Sequence, residues 1–138
     1  MEKLILALSV IVFSTSSLAG ATSVDDEYQL AEIKFKLCEA RYEGDGYTLS
    51  PTEAYKNYLS CKSEAKKIAE SSYKSISKVL KRPSGKAALK EFHASFMTRF
   101  ESSEAKDGEL KSQYISRMAA LEEKVENAKQ KLTLELPK

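Results

Sequence analysis

Apolar residues recur mostly at steps of three and four through four long runs of this chain, and little between the runs could turn a strand. The first run is Val24, Tyr28, Ala31, Phe35, Cys38 and Tyr42. The second is Ala54, Tyr58, Cys61, Ala65, Ile68, Ser72, Ile76 and Val79; the third is Ala88, Leu89, Phe92, Phe96 and Phe100. The fourth is Leu110, Tyr114, Met118, Leu121, Val125, Ala128 and Leu132. At 3.6 residues per turn, each run falls on one side of a helix. Proline is confined to positions 51, 83 and 137, and glycine past residue 21 to positions 44, 46, 85 and 108, too little turn chemistry for a many-stranded fold. The pattern predicts an all-α antiparallel bundle of three to four helices, one domain over residues 22–138. A three-helix form with one long bent hairpin is the rival. Stripes this narrow, near two apolar positions in seven, also suit pairing between chains.

Local signals set the expected ends. Asp25, Asp26 and Glu27 suit the positive end of a first helix over about 25–42, which Glu43-Gly44-Asp45-Gly46 is expected to stop. Ser50-Pro51-Thr52-Glu53 is the clearest start: Ser50 can cap, Pro51 has its φ preset, and Glu53 completes a capping box. That second helix is expected to reach about Arg82, because Pro83 disfavours helical geometry in the residue before it. Asp107-Gly108 marks a further break, and residues 134–138 read as a frayed tail.

Both cysteines sit on these stripes, which predicts a disulfide between Cys38 and Cys61 stapling two antiparallel helices. One geometric strain accompanies it. Cys38 stands about four residues before the expected end of its helix and Cys61 ten after the next begins, an offset of roughly 9 Å at 1.5 Å per residue. The loop over 43–49 has to climb that distance.

The first 21 residues read as an export signal: a charged Met1-Glu2-Lys3, an apolar stretch over 4–13, and small residues through Ala19-Gly20-Ala21. The apolar stretch is short of the ~20 residues a bilayer-spanning helix needs, so cleavage is expected and the protein is placed in the periplasm or outside the cell. An oxidising compartment agrees with a disulfide.

Charge is uneven. Residues 22–60 carry 8 acids and 4 bases, residues 61–90 carry 9 bases and 2 acids, and residues 91–138 are close to balance with 9 acids and 8 bases. Lys67, Lys74, Lys78 and Lys81 fall in one helical phase and form a stripe able to meet an acidic protein, a lipid phosphate or another polyanion. The blander reading, which the sequence favours, is a solvated face answering the negative first segment inside the same bundle. Tyr42, Tyr47 and Tyr55 cluster around the acidic loop, either as a recognition surface or packed down on the bundle. These seven residues are the candidate binding surface.

Enzyme chemistry is not expected. The only histidine, His93, sits between Phe92 and Ala94 with no Gly-rich elbow to present a nucleophile, and reads as the flank of an apolar stripe. His93 and Met118 lack a Cys-x-x-Cys-His attachment signal for haem, and Glu101, Glu104 and Asp107 read as a solvated acidic patch rather than a metal site. No cofactor is expected, and nothing in the chain has a nucleic-acid-binding motif.

Cys61 and Tyr73 lie where corresponding residues open the small helical domain of bacterial exported lysozyme inhibitors of the LprI type, Leu89 falls at its later Leu, and residues 61–100 resemble that domain. The family continues Leu-x-x-x-Gln-x-x-Trp-x-x-x-Arg-x-x-x-Cys; here His93, Phe96, Phe100 and Glu104 stand in place of the Gln, Trp, Arg and Cys. The resemblance implies an exported helical inhibitor and carries over no inhibitory residue. The expected function is thus an exported, non-enzymatic binding protein, an inhibitor of or adaptor for another envelope or secreted protein. The alternatives are a self-associating structural protein, such as a homodimer, and a binder of envelope polyanions or the membrane surface.

Overall fold

The computed structural model describes residues 23–138; the export signal expected over residues 1–21 lies outside them. Four helices make up an all-α bundle: α1 (Val24–Asp45), α2 (Pro51–Val79), α3 (Pro83–Glu101) and α4 (Lys111–Glu135). α1 packs along α2 and α3 along α4, and narrower contacts of α2 with α3 and of α1 with α4 close the bundle. The four-helix arrangement holds, and the bent three-helix rival does not.

Small residues let α1 and α2 come close, and aromatic rings from α3 fill the space beside them. Ala31, Ala65 and Ala69 are completely buried. Tyr28 meets Phe92 edge-on at 4.8 Å between ring centroids, and Phe35 stacks on Phe100 at 4.6 Å. Two buried positions were absent from the expected stripe of α2. Ala69 is wholly buried in the core, and Lys62 buries its alkyl stem while its ammonium lies 4.9 Å from the Tyr58 ring centre and 3.7 Å from Glu104.

The disulfide joins Cys38 to Cys61 with their Cα atoms 5.6 Å apart. α1 runs past its expected stop, through Glu43, Gly44 and Asp45, with the Gly46 N–H donating to the Tyr42 carbonyl at 3.2 Å. A glycine inside a helix costs only about 1 kcal/mol relative to alanine, so Gly44 weakens this turn without ending it. The extension leaves Cys38 seven residues from its helix end against ten for Cys61. The offset shrinks to roughly 4.5 Å, half the climb expected.

The expected capping box at Ser50 is present: its side chain accepts from the Glu53 N–H, and the Glu53 carboxylate accepts from the Ser50 N–H. α2 stops at Val79, earlier than expected. Leu80 turns extended (ψ 119°) to bury its side chain in the core, and Pro83 becomes the first residue of α3 with Arg82 extended before it. Gly85 then passes so close that a Cβ there would come within 2.9 Å of the Leu80 side chain. The expected frayed tail is corrected. α4 continues to Glu135, whose carboxylate accepts a hydrogen bond from Ser84 and forms an ion pair with Arg82, and Leu136 is buried. At the other end of α4 the expected stripe opens out: Leu110 is exposed, and Tyr114 and Arg117 turn to the loop over 102–110 instead of inward.

Candidate functional site

On α2 the core-facing residues Ala54, Ala65 and Ser72 define one side, and Lys67 and Lys74 project from the opposite side, about 160–220° round the helix. Lys56, eleven residues before Lys67, and Lys78 share that outer side. All four are exposed, and none forms an ion pair among the described residues. From Lys56 to Lys78 the row extends about 33 Å at 1.5 Å per residue. Lys81 does not belong to it. The helix ends at Val79, so Lys81 lies in the turn before α3. Lys56 was legible from its phase with Lys67 but fell outside the basic segment as bounded by composition.

Three of the eight acids of the first segment pair elsewhere, and among the described residues none of the eight pairs with the lysine stripe. Glu32 pairs with Lys36 on its own helix, Asp25 with Lys129 of α4, and Glu39 faces Arg99 of α3 at 3.7 Å. Within the basic segment, Lys62 and Lys66 turn to Glu104 and Glu101 at the α3 end, and Glu64 is taken by Lys34 at 2.8 Å. The hydrogen bond and charge of Lys34 hold the Glu64 carboxyl below its ordinary range, with a smaller contribution from Lys67. These bases between helices are paired, and the row on the outer face of α2 has no ion-pair partner among the described residues.

The tyrosines form a cluster with a different membership. Tyr42 stacks on Tyr58 at 4.6 Å, and Tyr55 lies 6.2 Å from Tyr42 and 6.4 Å from Tyr58. Tyr58, from the expected core stripe of α2, belongs to this cluster. Tyr47 stands apart at 92 % exposure. Tyr55 projects about 100–120° round α2 from Lys67 and Lys74, on the flank with Leu59, Lys66 and Glu101. The expected surface therefore divides into a lysine row and a tyrosine cluster on separate sides of the helix. A cleft of about 310 Å³ lies beside the disulfide between α1 and α2, and one of about 360 Å³ lies between Tyr42, Tyr58 and Tyr114 with Glu39, Glu43 and Glu104 at its rim.

His93 is tied on both sides. Its Nδ1 lies 2.8 Å from the Tyr28 hydroxyl and its Nε2 3.0 Å from Glu70, so one side chain joins α1, α2 and α3. Burial, followed by the charge of Glu70, raises the Tyr28 hydroxyl above its ordinary range and keeps it protonated. The arrangement has the order of a catalytic relay, and its tyrosine is a core residue at 3 % exposure.

Arg117 organises the one long connection. Its guanidinium takes both oxygens of Glu109 and donates to the carbonyls of Ser102 and Glu104. Glu109 also accepts from the Lys106 N–H at 3.0 Å, and Gly108 makes the turn with φ +74°. The Arg117 hydrogen bonds, then the Lys106 N–H, bring the Glu109 carboxyl down to about 2. Glu101 and Glu104 are spent on Lys66 and Lys62. Among the described residues no helix is long and apolar enough to cross a membrane. Searches of family models, curated proteins and solved structures find no match to this chain.

Proposed function

We propose that this is an exported, non-enzymatic binding protein that holds an acidic partner protein against the outer face of α2. The observation that carries the reading is the row Lys56, Lys67, Lys74 and Lys78, about 33 Å long, exposed along one side of α2 and without ion-pair partners among the described residues. The disulfide supports an oxidising compartment, periplasmic or extracellular, as does the signal-like start of the chain. The likeness of residues 61–100 to lysozyme inhibitors suggests an envelope or secreted protein as the partner, and inhibition or escort as the outcome. The engagement of His93 with buried Tyr28 supports the absence of catalysis.

The test is co-purification from the native envelope fraction, with the eluate identified by mass, using the protein and its Lys67→Glu/Lys74→Glu/Lys78→Glu variant. Capture of one acidic protein that the variant loses supports the reading. Equal capture by both would refute it. Salt-sensitive retention on heparin or anionic vesicles, lost in the variant, with no protein captured, would favour a polyanion or membrane-surface binder instead.

A further inference from the structure

α1 is apolar on two opposite sides. One is the core line of Tyr28, Ala31, Phe35 and Cys38. The other is Leu30, Ile33 and Leu37, exposed at 63 %, 47 % and 53 % and lying about 160–200° round the helix from Tyr28 and Phe35. Ala40 and Gly44 continue this second line, so that 30, 33, 37, 40 and 44 keep the four-three rhythm of a helix–helix seam. A Cβ at Gly44 would meet nothing within 4 Å. Among the described residues nothing covers this side, and the seam is not used in building the bundle.

Charge placement selects the occupant. Asp26 lies at the start of the same line and Arg41 on its edge, and neither has an ion-pair partner among the described residues. Leu30 and Leu37 are equidistant from the midpoint between Ile33 and Lys34, and so are Asp26 and Arg41. A two-fold axis at that midpoint, with two α1 helices antiparallel, sets Leu30 against Leu37 of the other copy, Ile33 beside its own equivalent, and Asp26 against Arg41 at both ends. It also opposes the two helix dipoles. A parallel pair would set Asp26 against Asp26 and Arg41 against Arg41.

We infer that the outer seam of α1 is a self-association surface, on which two copies of this chain pair antiparallel through Leu30, Ile33 and Leu37 with reciprocal Asp26–Arg41 contacts. One helix per copy buries less than the roughly 1,200 Å² of a standard stable interface, so the dimer is reversible and forms as concentration rises. The surface is separate from the α2 lysine row, and the inference does not rest on the proposed function.

Sedimentation of the oxidised protein over a concentration series, with far-UV circular dichroism confirming that each variant is folded, tests it. The protein is expected to pass from monomer to dimer. Ile33→Asp, at an exposed site, is expected to move the midpoint about tenfold or more to higher concentration. Asp26→Lys and Arg41→Glu each weaken the dimer, and the double variant recovers it. That recovery cannot arise within one chain, because the two residues are about 22 Å apart along α1. The Lys67→Glu/Lys74→Glu/Lys78→Glu variant dimerises like the parent. A monomer at every concentration, a dimer indifferent to Ile33→Asp, or a double variant no better than its single parents would overturn the inference.

Discussion

Reducing the Cys38–Cys61 bridge releases a loop of 24 residues into the unfolded ensemble. In the chain-entropy model such a crosslink removes about 11.6 cal/mol/K, or about 3.4 kcal/mol at 25 °C. Set against a typical total of ~5–15 kcal/mol, that loss leaves a folded but weakened bundle, since the core of Phe35, Phe92 and Leu132 is untouched. With an unfolding entropy of about 2.1 cal/mol/K per residue over the 116 described residues, the midpoint falls by about 14 °C. Guanidinium unfolding with and without reductant measures both terms. The slope m should rise on reduction, because the freed chain exposes more surface when it unfolds. Two thiols need more room than the bridge, so Cys38→Ala/Cys61→Ala provides a control in which that crowding is absent. A loss below about 1 kcal/mol, or an m-value that stays put, refutes the unfolded-state account.

Phe35→Ala removes a ring that is 1 % exposed and stacked on Phe100, and is expected to cost about 3–5 kcal/mol in denaturant unfolding, while Phe35→Leu costs much less. Tyr28→Phe leaves the His93 Nδ1 without its partner in a part-buried site and is expected to cost about 1–3 kcal/mol. Because the Glu109 carboxyl is held down to about 2 in the folded protein, below its ordinary 4.5, its contribution is complete above about pH 4.5 and is lost as pH falls through about 2. Thermal melts from pH 6 to pH 2, in steps of about half a unit, should show a shallower acid decline in Glu109→Gln than in the parent. Arg117→Met breaks the same set of contacts and is expected to expose residues 102–110 to limited proteolysis while the helices persist.

The bundle and its staple were legible because periodicity is a local signal: Tyr28, Phe35 and Cys38 announce one helical side wherever the rest of the chain lies. The helix ends were less so. Gly44 reads as a stop, yet its helix continues, and Leu80 leaves α2 for the sake of a burial site formed by the rest of the bundle. Leu136 is buried for the same kind of reason, through contacts far along the chain. The lysine row was visible in phase, but its lack of acidic partners depends on where Asp25, Glu39 and Glu64 find theirs. The second apolar line of α1 was open to a wheel projection. The core line on the same helix satisfies the amphipathic pattern by itself, so the second line adds nothing to the fold that periodicity predicts. The ties of His93 to Tyr28 and Glu70 span three helices and have no local signature.

The alanines at 31, 65 and 69 make the smallest side chains in the bundle the least replaceable. Each is completely buried, so added bulk there would press on its neighbours in a bundle whose first two helices a covalent bond holds together. Mutational tolerance along α1 and α2 should therefore follow the room available at each position rather than the size or chemistry of the side chain removed. A deep substitution scan should show its sharpest intolerance at residues that offer almost no chemistry of their own.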